Sequence, residues 1–155
     1  LREMDKQLAE VSDRIKIPEN KKPVAMLVSR MRQYGGIGCM YDDLCKYAGV
    51  RNAISMMGIK YGETVTKEAV VASDPDLFFV SSGRDYEEKI DVEFRKEFME
   101  DPALGHLKGL NRVIQIPDRY IYSNSQNCVY AIKGIHNFVY GPVFDLRGEA
   151  LIKGY

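Results

Sequence analysis

The stretch GGIGCMYDDLCKYAGVRNA, residues 35–53, raises the first question about chemistry in this sequence, because it opens with glycines at positions 35, 36 and 38 and continues with two carboxylates. A glycine-rich turn between a strand and a helix is typical of nucleotide-binding loops, because backbone N–H groups and the helix N-terminus hold phosphate there. Gly36 and Gly38 supply the first half of the dinucleotide-binding pattern G-x-G-x-x-G, but Tyr41 occupies its third position. The Gly-Lys-Ser/Thr of a Walker loop is absent from the sequence.

Asp42 and Asp43 also argue against phosphate at this turn. Two carboxylates in the first turn of a helix are stabilised by its dipole, but they would repel an anion at the same place. Two interpretations of the pair stay open. They form either a solvated first turn or an exposed acidic surface that docks on a basic partner.

Arginine and tyrosine recur together after each of three predicted strands. In open α/β sheets, ligands lie beyond the carboxyl ends of the strands. Tyrosine offers a flat apolar face with a polar tip, and arginine a rigid positive fork for carboxylate, phosphate or catecholate oxygens. The pattern predicts a site for a large, flat, partly anionic ligand, although three such loops can also arise by chance. The residues are Arg30, Arg32, Tyr34 and Tyr41 after the first strand, Arg84 and Tyr86 after the second, and Arg119, Tyr120 and Tyr122 after the third.

The sequence shows no catalytic or metal-binding pattern. His106 and His136 have no cysteine or carboxylate at a recognisable metal-ligand spacing, and we interpret His136 as a packed or surface residue. Ser81 and Ser82 follow a predicted strand, but the G-x-S-x-G elbow of a hydrolase is missing. We therefore predict neither catalytic residues nor a metal site.

Composition narrows the class of protein. The 155 residues suffice for one domain with its own core. The 22 basic and 22 acidic side chains balance, which argues against a nucleic-acid partner. No apolar run approaches the roughly 20 residues of a membrane-spanning helix. The chain does not begin with Met, and we expect it to be part of a longer protein. The three cysteines, Cys39, Cys45 and Cys128, are interpreted as buried apolar side chains.

Apolar patterning predicts alternating strands and helices. Such alternation favours a sheet with parallel pairs and helices on both faces. The predicted strands are VAMLVS (24–29), LFFVSS (77–82) and RVIQIP (112–117), with a short one at ISMMGI (54–59). The predicted helices are the first 15 or so residues, 39–47, 66–73, part of 86–100, and a last helix capped by Asn124 or Ser125. In the helix 39–47, the apolar face contains Met40, Leu44, Tyr47 and Ala48, and Gly49 ends the helix. Thr66 is the predicted N-cap of the helix 66–73.

Read in order, these segments resemble the C-terminal lobe of the periplasmic binding proteins that serve iron-siderophore, haem and cobalamin ABC importers. KKPVAMLVSR resembles the first strand of that lobe, and GGIGCMYDDLCKYAGVRNA resembles its G-x-G, helix and A-G-G-x-N-A signature. VTKEAVVASDPDLFFVSS matches a further passage through Glu68, Pro75 and Asp76. DPALGHLKGLNRVIQIP resembles the short helix and strand that follow.

The resemblance implies an α/β fold: a three-layer αβα lobe with a central, mostly parallel sheet over residues 18–155. Residues 1–17 would be the end of the helix that connects two lobes, and the N-terminal lobe would be missing. The implied protein is a carrier without a resident cofactor and not an enzyme. It captures a metal chelate between its lobes and delivers it to a membrane permease. It would work outside the cytoplasm, in the periplasm or lipid-anchored on the outer face of the membrane.

The resemblance also assigns roles to residues. The acidic residue that docks on the permease corresponds to Asp43, with Asp42 as its neighbour. The glycines would turn the chain beside the ligand cleft. Because the sequence has no Trp, Tyr41, Tyr120 and Tyr122 are expected to line that cleft. The arginines favour a ferric siderophore as cargo, and haem and cobalamin stay open.

Two other classes of protein remain as alternatives. One is an intracellular α/β enzyme or nucleotide-binding domain, which would need a complete active site within this chain. The other is a structural lobe of a nitrogenase-like metallocluster protein, for which only Cys39 stands near a cluster-facing loop. Under the two-lobe interpretation, the chain alone binds cargo weakly or not at all.

Overall fold

A parallel sheet forms the centre of the fold. The computed structural model describes residues 2–29, 31, 33–81, 96, 99–122 and 124–147. Within them the strands are β1 (Val24–Val28), β2 (Arg51–Asn52), β3 (Leu77–Ser81) and β4 (Val113–Ile116). All pairs are parallel, in the order β2-β1-β3-β4. The predicted α/β class and the parallel sheet are confirmed.

Helices connect and cover these strands. They are α1 (Arg2–Arg14), α2 (Met40–Ala48), α3 (Ala53–Met56), α4 (Lys67–Ser73), α5 (Asp118–Ile121) and α6 (Cys128–Tyr140), with short 3-10 turns at Glu19–Lys21 and Lys108–Asn111. None of the helices in the described ranges is long and apolar enough to cross a membrane.

The connections place the helices in two layers. The crossover from β1 to β2 runs in one direction along the sheet, and that from β2 to β3 runs back past β1. Because such crossovers are right-handed, α2 and α4 lie on opposite faces. On the α2 face, His136 Nδ1 of α6 donates to the Ala48 carbonyl at 2.9 Å, and the Tyr140 hydroxyl donates to the Gly49 carbonyl at 2.7 Å. His136 is therefore a packed histidine, as predicted.

The central strands are continuous apolar runs because both of their faces are covered. All five residues of β3 are buried. Asp76 fixes the start of β3 against β1, since its carboxylate accepts the Val24 N–H at 2.7 Å and its own N–H donates to the Val24 carbonyl at 2.8 Å. The Pro-Asp motif that entered the resemblance is thus a structural element here.

Several predicted boundaries are confirmed. Helix α2 ends at Gly49, whose φ of 79° is left-handed and therefore suits glycine. Thr66 caps α4 by accepting the Ala69 N–H at 3.2 Å.

Cys39, Cys45 and Cys128 are all buried and free. The helical face predicted within 86–100 lies largely outside the described residues.

Three predictions were wrong. Met40 and Tyr47 do not lie on the buried face of α2, because they are 37% and 51% exposed and the helix buries Tyr41 and Cys45 instead. ISMMGI does not form a strand, because the chain pairs with β1 only at Arg51–Asn52 and then enters α3. Asn52 makes this change by accepting the Ile54 N–H at 3.2 Å. The last helix begins at Cys128 rather than just after Asn124 or Ser125, because residues 125–128 form a turn in which the Cys128 N–H donates to the Ser125 carbonyl.

A buried lysine ties α1 to the rest of the fold. Lys133 of α6 is 4% exposed, and its ammonium donates to Gln7 Oε1 at 2.5 Å and lies 3.8 Å from Glu10 Oε2. Val11 of α1 is fully buried. Helix α1 therefore packs on the α6 side of the sheet. Its assignment as a connector between lobes stays a prediction.

The buried side-chain amide of Asn52 joins three parts of the chain. Its Nδ2 donates to the Gly35 carbonyl at 2.6 Å and to Asp42 Oδ1 at 3.0 Å, while its Oδ1 caps α3. The glycine loop, α2 and the end of β2 thus meet at one side chain. Its acceptors are buried, so losing the amide would leave them without these hydrogen bonds.

We predict that Asn52→Ala lowers the free energy of unfolding by about 3 kcal/mol, from a lost helix cap and two lost buried hydrogen bonds. Urea denaturation monitored by circular dichroism measures this. Asn20→Ala, at an exposed asparagine, is the matched control and should change stability by less than about 0.5 kcal/mol. Equal effects of the two variants would refute a structural role for the Asn52 amide.

Candidate functional site

The topology marks one edge of the sheet as the place for a ligand. The connection after β1 runs towards β2, and the connection after β3 runs towards β4. The two therefore leave the sheet in opposite directions. In open α/β sheets, ligands bind beyond the carboxyl ends of the strands at this switch point.

Two of the predicted tyrosines meet at this edge. The Tyr122 hydroxyl shares a hydrogen bond of 2.5 Å with Ser29 Oγ, and the Tyr34 hydroxyl donates to the Ile121 carbonyl at 2.8 Å. The rings of Tyr34 and Tyr122 lie 4.8 Å apart. We name Ser29, Tyr34 and Tyr122 the tyrosine clasp. Of the arginines and tyrosines predicted to converge from the strand ends, the structure therefore brings Tyr34 and Tyr122 together, and ligand contact by these two residues stays a prediction.

The clasp connects strands that are not neighbours. Ser29 follows β1 and Tyr122 follows β4, and β3 lies between those strands in the sheet. At the end of β3, the Ser81 hydroxyl donates to the Asp118 carboxylate. These bonds hold the loops after β1 and β4 together across the carboxyl end of β3.

The Tyr34 hydroxyl acts as a neutral donor. Burial raises its pKa well above the ordinary value of a phenol. The proton therefore stays on the oxygen at physiological pH, and the bond to the Ile121 carbonyl persists. Tyr34 is a positioning residue in this conformation rather than a source of negative charge.

A cavity of about 450 Å³ lies next to the clasp. One wall is the end of β1 with the loop after it, and the opposite wall is the segment that leads into α4. The apolar lining residues are Leu27, Val28, Met31, Tyr34, Val65, Val70 and Leu104. The polar ones are Ser29, Thr64, Thr66, Lys67, Glu68 and Asp101. The Lys67 ammonium is already paired with the Asp101 carboxylate.

The wall formed by Thr64, Val65 and Thr66 was not among the residues predicted from the sequence. The order of the elements could have predicted it, because Thr66 caps a helix that follows β2. In a parallel sheet, a helix that follows a strand begins at the carboxyl edge. The segment before α4 therefore had to lie on the same edge as the loop after β1.

Tyr41 does not line a cleft. Its side chain is fully buried, and its hydroxyl has no hydrogen-bond partner among the residues that the structure describes. Position 41 lies on the inner face of α2, where burial raises the pKa of the phenol well above its ordinary value. The prediction that Tyr41 faces the ligand was wrong for this reason.

Arg119 and Tyr120 also lie elsewhere. The Tyr120 ring packs on α6, where a Cβ at Gly134 would lie 2.6 Å from it and Phe138 lies 5.9 Å away between ring centres. The exposed Arg119 guanidinium sits 5.0 Å above the same ring. Both residues therefore belong to the α6 side of the sheet in this conformation. Arg30, Arg32, Arg84 and Tyr86 lie outside the described residues.

The two aspartates of α2 have different environments. Asp42 is 4% exposed and accepts hydrogen bonds from Asn52 and Lys46. Burial alone would raise its pKa, but the neighbouring Ser55, Lys46 and Asn52 outweigh burial and hold it below the ordinary value. The side chain of Asp43 is 62% exposed and pairs with Lys46 at 3.1 Å. Asp42 is therefore not an exposed docking residue, whereas Asp43 is accessible to a partner.

The glycine loop is not arranged to hold phosphate. The Ile37 N–H donates to the Ile59 carbonyl at 2.9 Å, and the Cys39 N–H donates to the Gly36 carbonyl at 3.2 Å. A Cβ at Gly36 would lie 2.3 Å from the Ile59 carbonyl oxygen. Glycine is therefore required here so that two backbone segments can approach each other, and these donors are not free for an anion.

Within the described part of the chain, no group of three or more His, Cys, Asp or Glu side chains could hold a metal ion. The arrangement at the edge of the sheet is instead a half-apolar cavity with hydroxyl groups and one ion pair in its wall. Sites for small molecules are typically built in this way, from mostly apolar walls with a few polar groups that fix the orientation of the ligand.

Comparisons with known proteins agree on the fold. No protein-family model matches the sequence, and no curated protein matches it. Solved structures of periplasmic binding proteins do match. The fold is that of one lobe of a periplasmic binding protein.

Three of these structures illustrate the match. The haem-binding protein BhuT, in complex with two haems, has a TM-score of 0.70 and 20% identity over 89% of this chain and 53% of its own. MolA of Haemophilus influenzae, bound to molybdate, has a TM-score of 0.69 and 15% sequence identity, and the match covers 88% of this chain and 41% of MolA. The protein of an ABC-type Fe³⁺-hydroxamate transport system from Saccharomonospora viridis has a TM-score of 0.66 and 16% sequence identity, and the match covers 90% of this chain and 47% of that protein. The chain thus spans about half the length of the structures it matches.

We predict that Tyr122→Phe lowers the free energy of unfolding by about 1 kcal/mol, because it removes the hydrogen bond to Ser29. It should also speed hydrogen exchange at the Met31 N–H, which donates to Ser29 Oγ at 3.1 Å. Urea denaturation and amide exchange measure the two effects. Tyr47→Phe, at an exposed tyrosine of α2, is the control. A clasp that positions the loop after β1 is ruled out if both variants behave like the unmodified chain.

Proposed function

We propose that this chain is the cargo-binding lobe of a substrate-binding protein that serves an ABC importer. Its cargo is a metal chelate, and we favour a ferric siderophore, with haem or cobalamin as alternatives of the same class. The observation that carries the proposal is the cavity at the carboxyl end of β1, in a sheet with the fold of a periplasmic binding protein lobe. The structural matches include proteins for haem, molybdate and Fe³⁺-hydroxamate and therefore support an importer protein, whereas the choice of a siderophore rests on the arginines that follow the strands in the sequence.

The proposed activity is binding and release, with no chemical step. One lobe supplies only part of the contact surface, and a second lobe of the same protein covers the rest of the ligand. Small-molecule sites usually bury most of the ligand surface. A single wall therefore gives low affinity, and tight binding requires both lobes.

Delivery needs a second surface that faces the membrane permease. Asp43 is the candidate for it, since its carboxylate is exposed on the outer side of α2, whereas Asp42 is not. An exposed carboxylate suits arginine or lysine on a partner, where complementary charge speeds association and sets orientation. In this proposal the protein acts outside the cytoplasm.

A nucleotide-binding enzyme domain is the competing function. It depends on the glycine loop as a phosphate site, and the Ile37 and Cys39 N–H groups are engaged within the fold. The proposal therefore favours a carrier over a nucleotide enzyme.

A melting-temperature panel on the full-length gene product tests the function. The panel contains a ferric hydroxamate, a ferric catecholate, haem, cobalamin and ADP. One chelate at about 100 times its Kd should add about 2.7 kcal/mol, which corresponds to a rise of roughly 5–10 °C. The 155-residue chain, run in parallel, should shift by less than about 1 °C because its affinity is low. A shift of this chain with ADP alone, and silence with every chelate, would refute the carrier.

The docking role of Asp43 gives a separate prediction. Asp43→Lys in the full-length protein should weaken binding to the permease at least tenfold, because like charges then face each other. Binding to the permease in proteoliposomes measures this. Asp13→Lys, at an exposed aspartate of α1, is the matched control with the same charge change. A docking role at position 43 is excluded if both variants bind with equal affinity.

A further inference from the structure

One cation lies between the two aspartates of α2. The Lys46 ammonium is 3.0 Å from Asp42 Oδ2 and 3.1 Å from Asp43 Oδ1. The hydrogen bond to Asp42, and after it the one to Asp43, raises the pKa of the Lys46 ammonium above its ordinary value. Lys46 therefore stays protonated at physiological pH, and it places a positive charge directly against the carboxylate of Asp43.

The two carboxylates hold this cation with different strength. The side chain of Asp42 is 6% exposed, and its other oxygen accepts the Asn52 amide at 3.0 Å. Taking the cation away from such a buried carboxylate would leave a charge without its partner, which is costly. The side chain of Asp43 is 62% exposed, so water can replace Lys46 there at little cost. Lys46 is therefore held firmly by Asp42 and loosely by Asp43.

A cationic partner that approaches Asp43 has to compete with Lys46. The ammonium of Lys46 occupies one oxygen of the Asp43 carboxylate, and its charge repels an incoming arginine or lysine. Lys46 has three N–H donors on a flexible stem, so it can give up Asp43 and keep its bond to Asp42. The exchange of one cation for the other therefore leaves no buried charge unpaired.

Two large side chains flank Asp43 on the outer side of α2. Met40 precedes it by three residues and Tyr47 follows it by four, and residues at these spacings are neighbours on the surface of a helix. They are 37% and 51% exposed. Tyrosine and methionine are enriched where proteins contact each other, and such contacts keep water away from a central polar pair. We name Met40, Asp43 and Tyr47 the outer face of α2.

We propose that the outer face of α2 docks on a basic surface of the permease and that Lys46 is a built-in competitor, which lowers the affinity of this docking. The buried carboxylate of Asp42 is the anchor that retains Lys46 when the partner takes Asp43. The inference rests on the proposed function and adds to it a residue that limits affinity. Docking limited in this way is readily reversed, as a carrier that leaves after delivery requires.

Binding of the full-length protein to the permease in proteoliposomes tests the competitor. Lys46→Gln removes the charge but keeps an amide that can donate to Asp42. We expect it to lower the Kd about threefold to tenfold at about 50 mM NaCl, and less than about twofold at about 500 mM NaCl, because salt screens exposed charges. Lys46→Arg retains the charge, so the gain in affinity should disappear.

A matched control separates a local competitor from an effect of net charge. Lys6→Gln makes the same change of charge at an exposed lysine of α1, and it should alter the Kd by less than about twofold. Melting followed by circular dichroism verifies that each variant is folded. An unchanged or raised Kd for folded Lys46→Gln would overturn the inference. Equal effects of Lys46→Gln and Lys6→Gln would overturn it as well.

The flanking side chains have a test of their own. Met40→Ala and Tyr47→Ala should each raise the Kd for the permease about threefold or more, because truncation removes contact area around the central charge pair. Met56→Ala and Val143→Ala remove apolar side chains that are 58% and 45% exposed outside α2, and each should change the Kd by less than about twofold. Equal effects in the two pairs would rule out the outer face of α2 as the contact surface.

The variants at positions 43 and 46 together distinguish this inference from the proposed function. If Asp43→Lys weakens binding and Lys46→Gln does not strengthen it, Asp43 docks without a competitor and only the inference fails. If neither variant changes the Kd, the docking role of Asp43 fails with it. A full-length protein that does not bind the permease at all would count against the importer protein itself.

Discussion

The arrangement of this lobe depends on one buried amide. Asn52 ends the short edge strand, caps α3, and holds both the Gly35 carbonyl and the Asp42 carboxylate. A polar group without water must find partners within the protein, and here each partner lies on a different segment. The hydrogen bonds of Asn52 therefore fix the path of the glycine loop relative to the end of β2. Tyr34, directly before Gly35, leaves that loop in a defined direction and reaches the Ile121 carbonyl.

The clasp carries this constraint across the sheet. Through Ser29, Tyr34 and Tyr122, the loop after β1 is held to the chain after β4, and the cavity lies against the α4 side of the same loop. In the proposed carrier, a ligand would therefore meet a wall whose position is set by buried hydrogen bonds before it binds. A preformed wall lowers the ordering cost of association, which matters most where one lobe contributes only part of the contact.

The sequence predicted the elements better than it predicted the directions of side chains. Continuous apolar runs identified β1 and β3 because strands buried on both faces need no alternation. Helix α2 was found, but two apolar stripes compete on it. One contains Met40 and Tyr47, the other Tyr41 and Cys45, and the structure buries the second. Spacing alone could not choose between stripes that differ by a rotation of one residue. The buried carboxylate of Asp42 accepts a hydrogen bond from the side-chain amide of Asn52, ten residues later in the chain. The spacing of apolar residues within α2 does not reveal this partner.

The exposed side chains near the cavity fit the proposed carrier, in which this lobe is one half of a clamp. Large apolar groups at the surface, grouped next to a cavity, mark interaction sites more often than scattered ones do. Met31 and Tyr61 border the clasp, whereas the hydrogen-bonding groups of the clasp are satisfied internally. In the proposed carrier, rigid polar contacts thus set the geometry of the wall, and the adaptable apolar side chains remain available for the ligand.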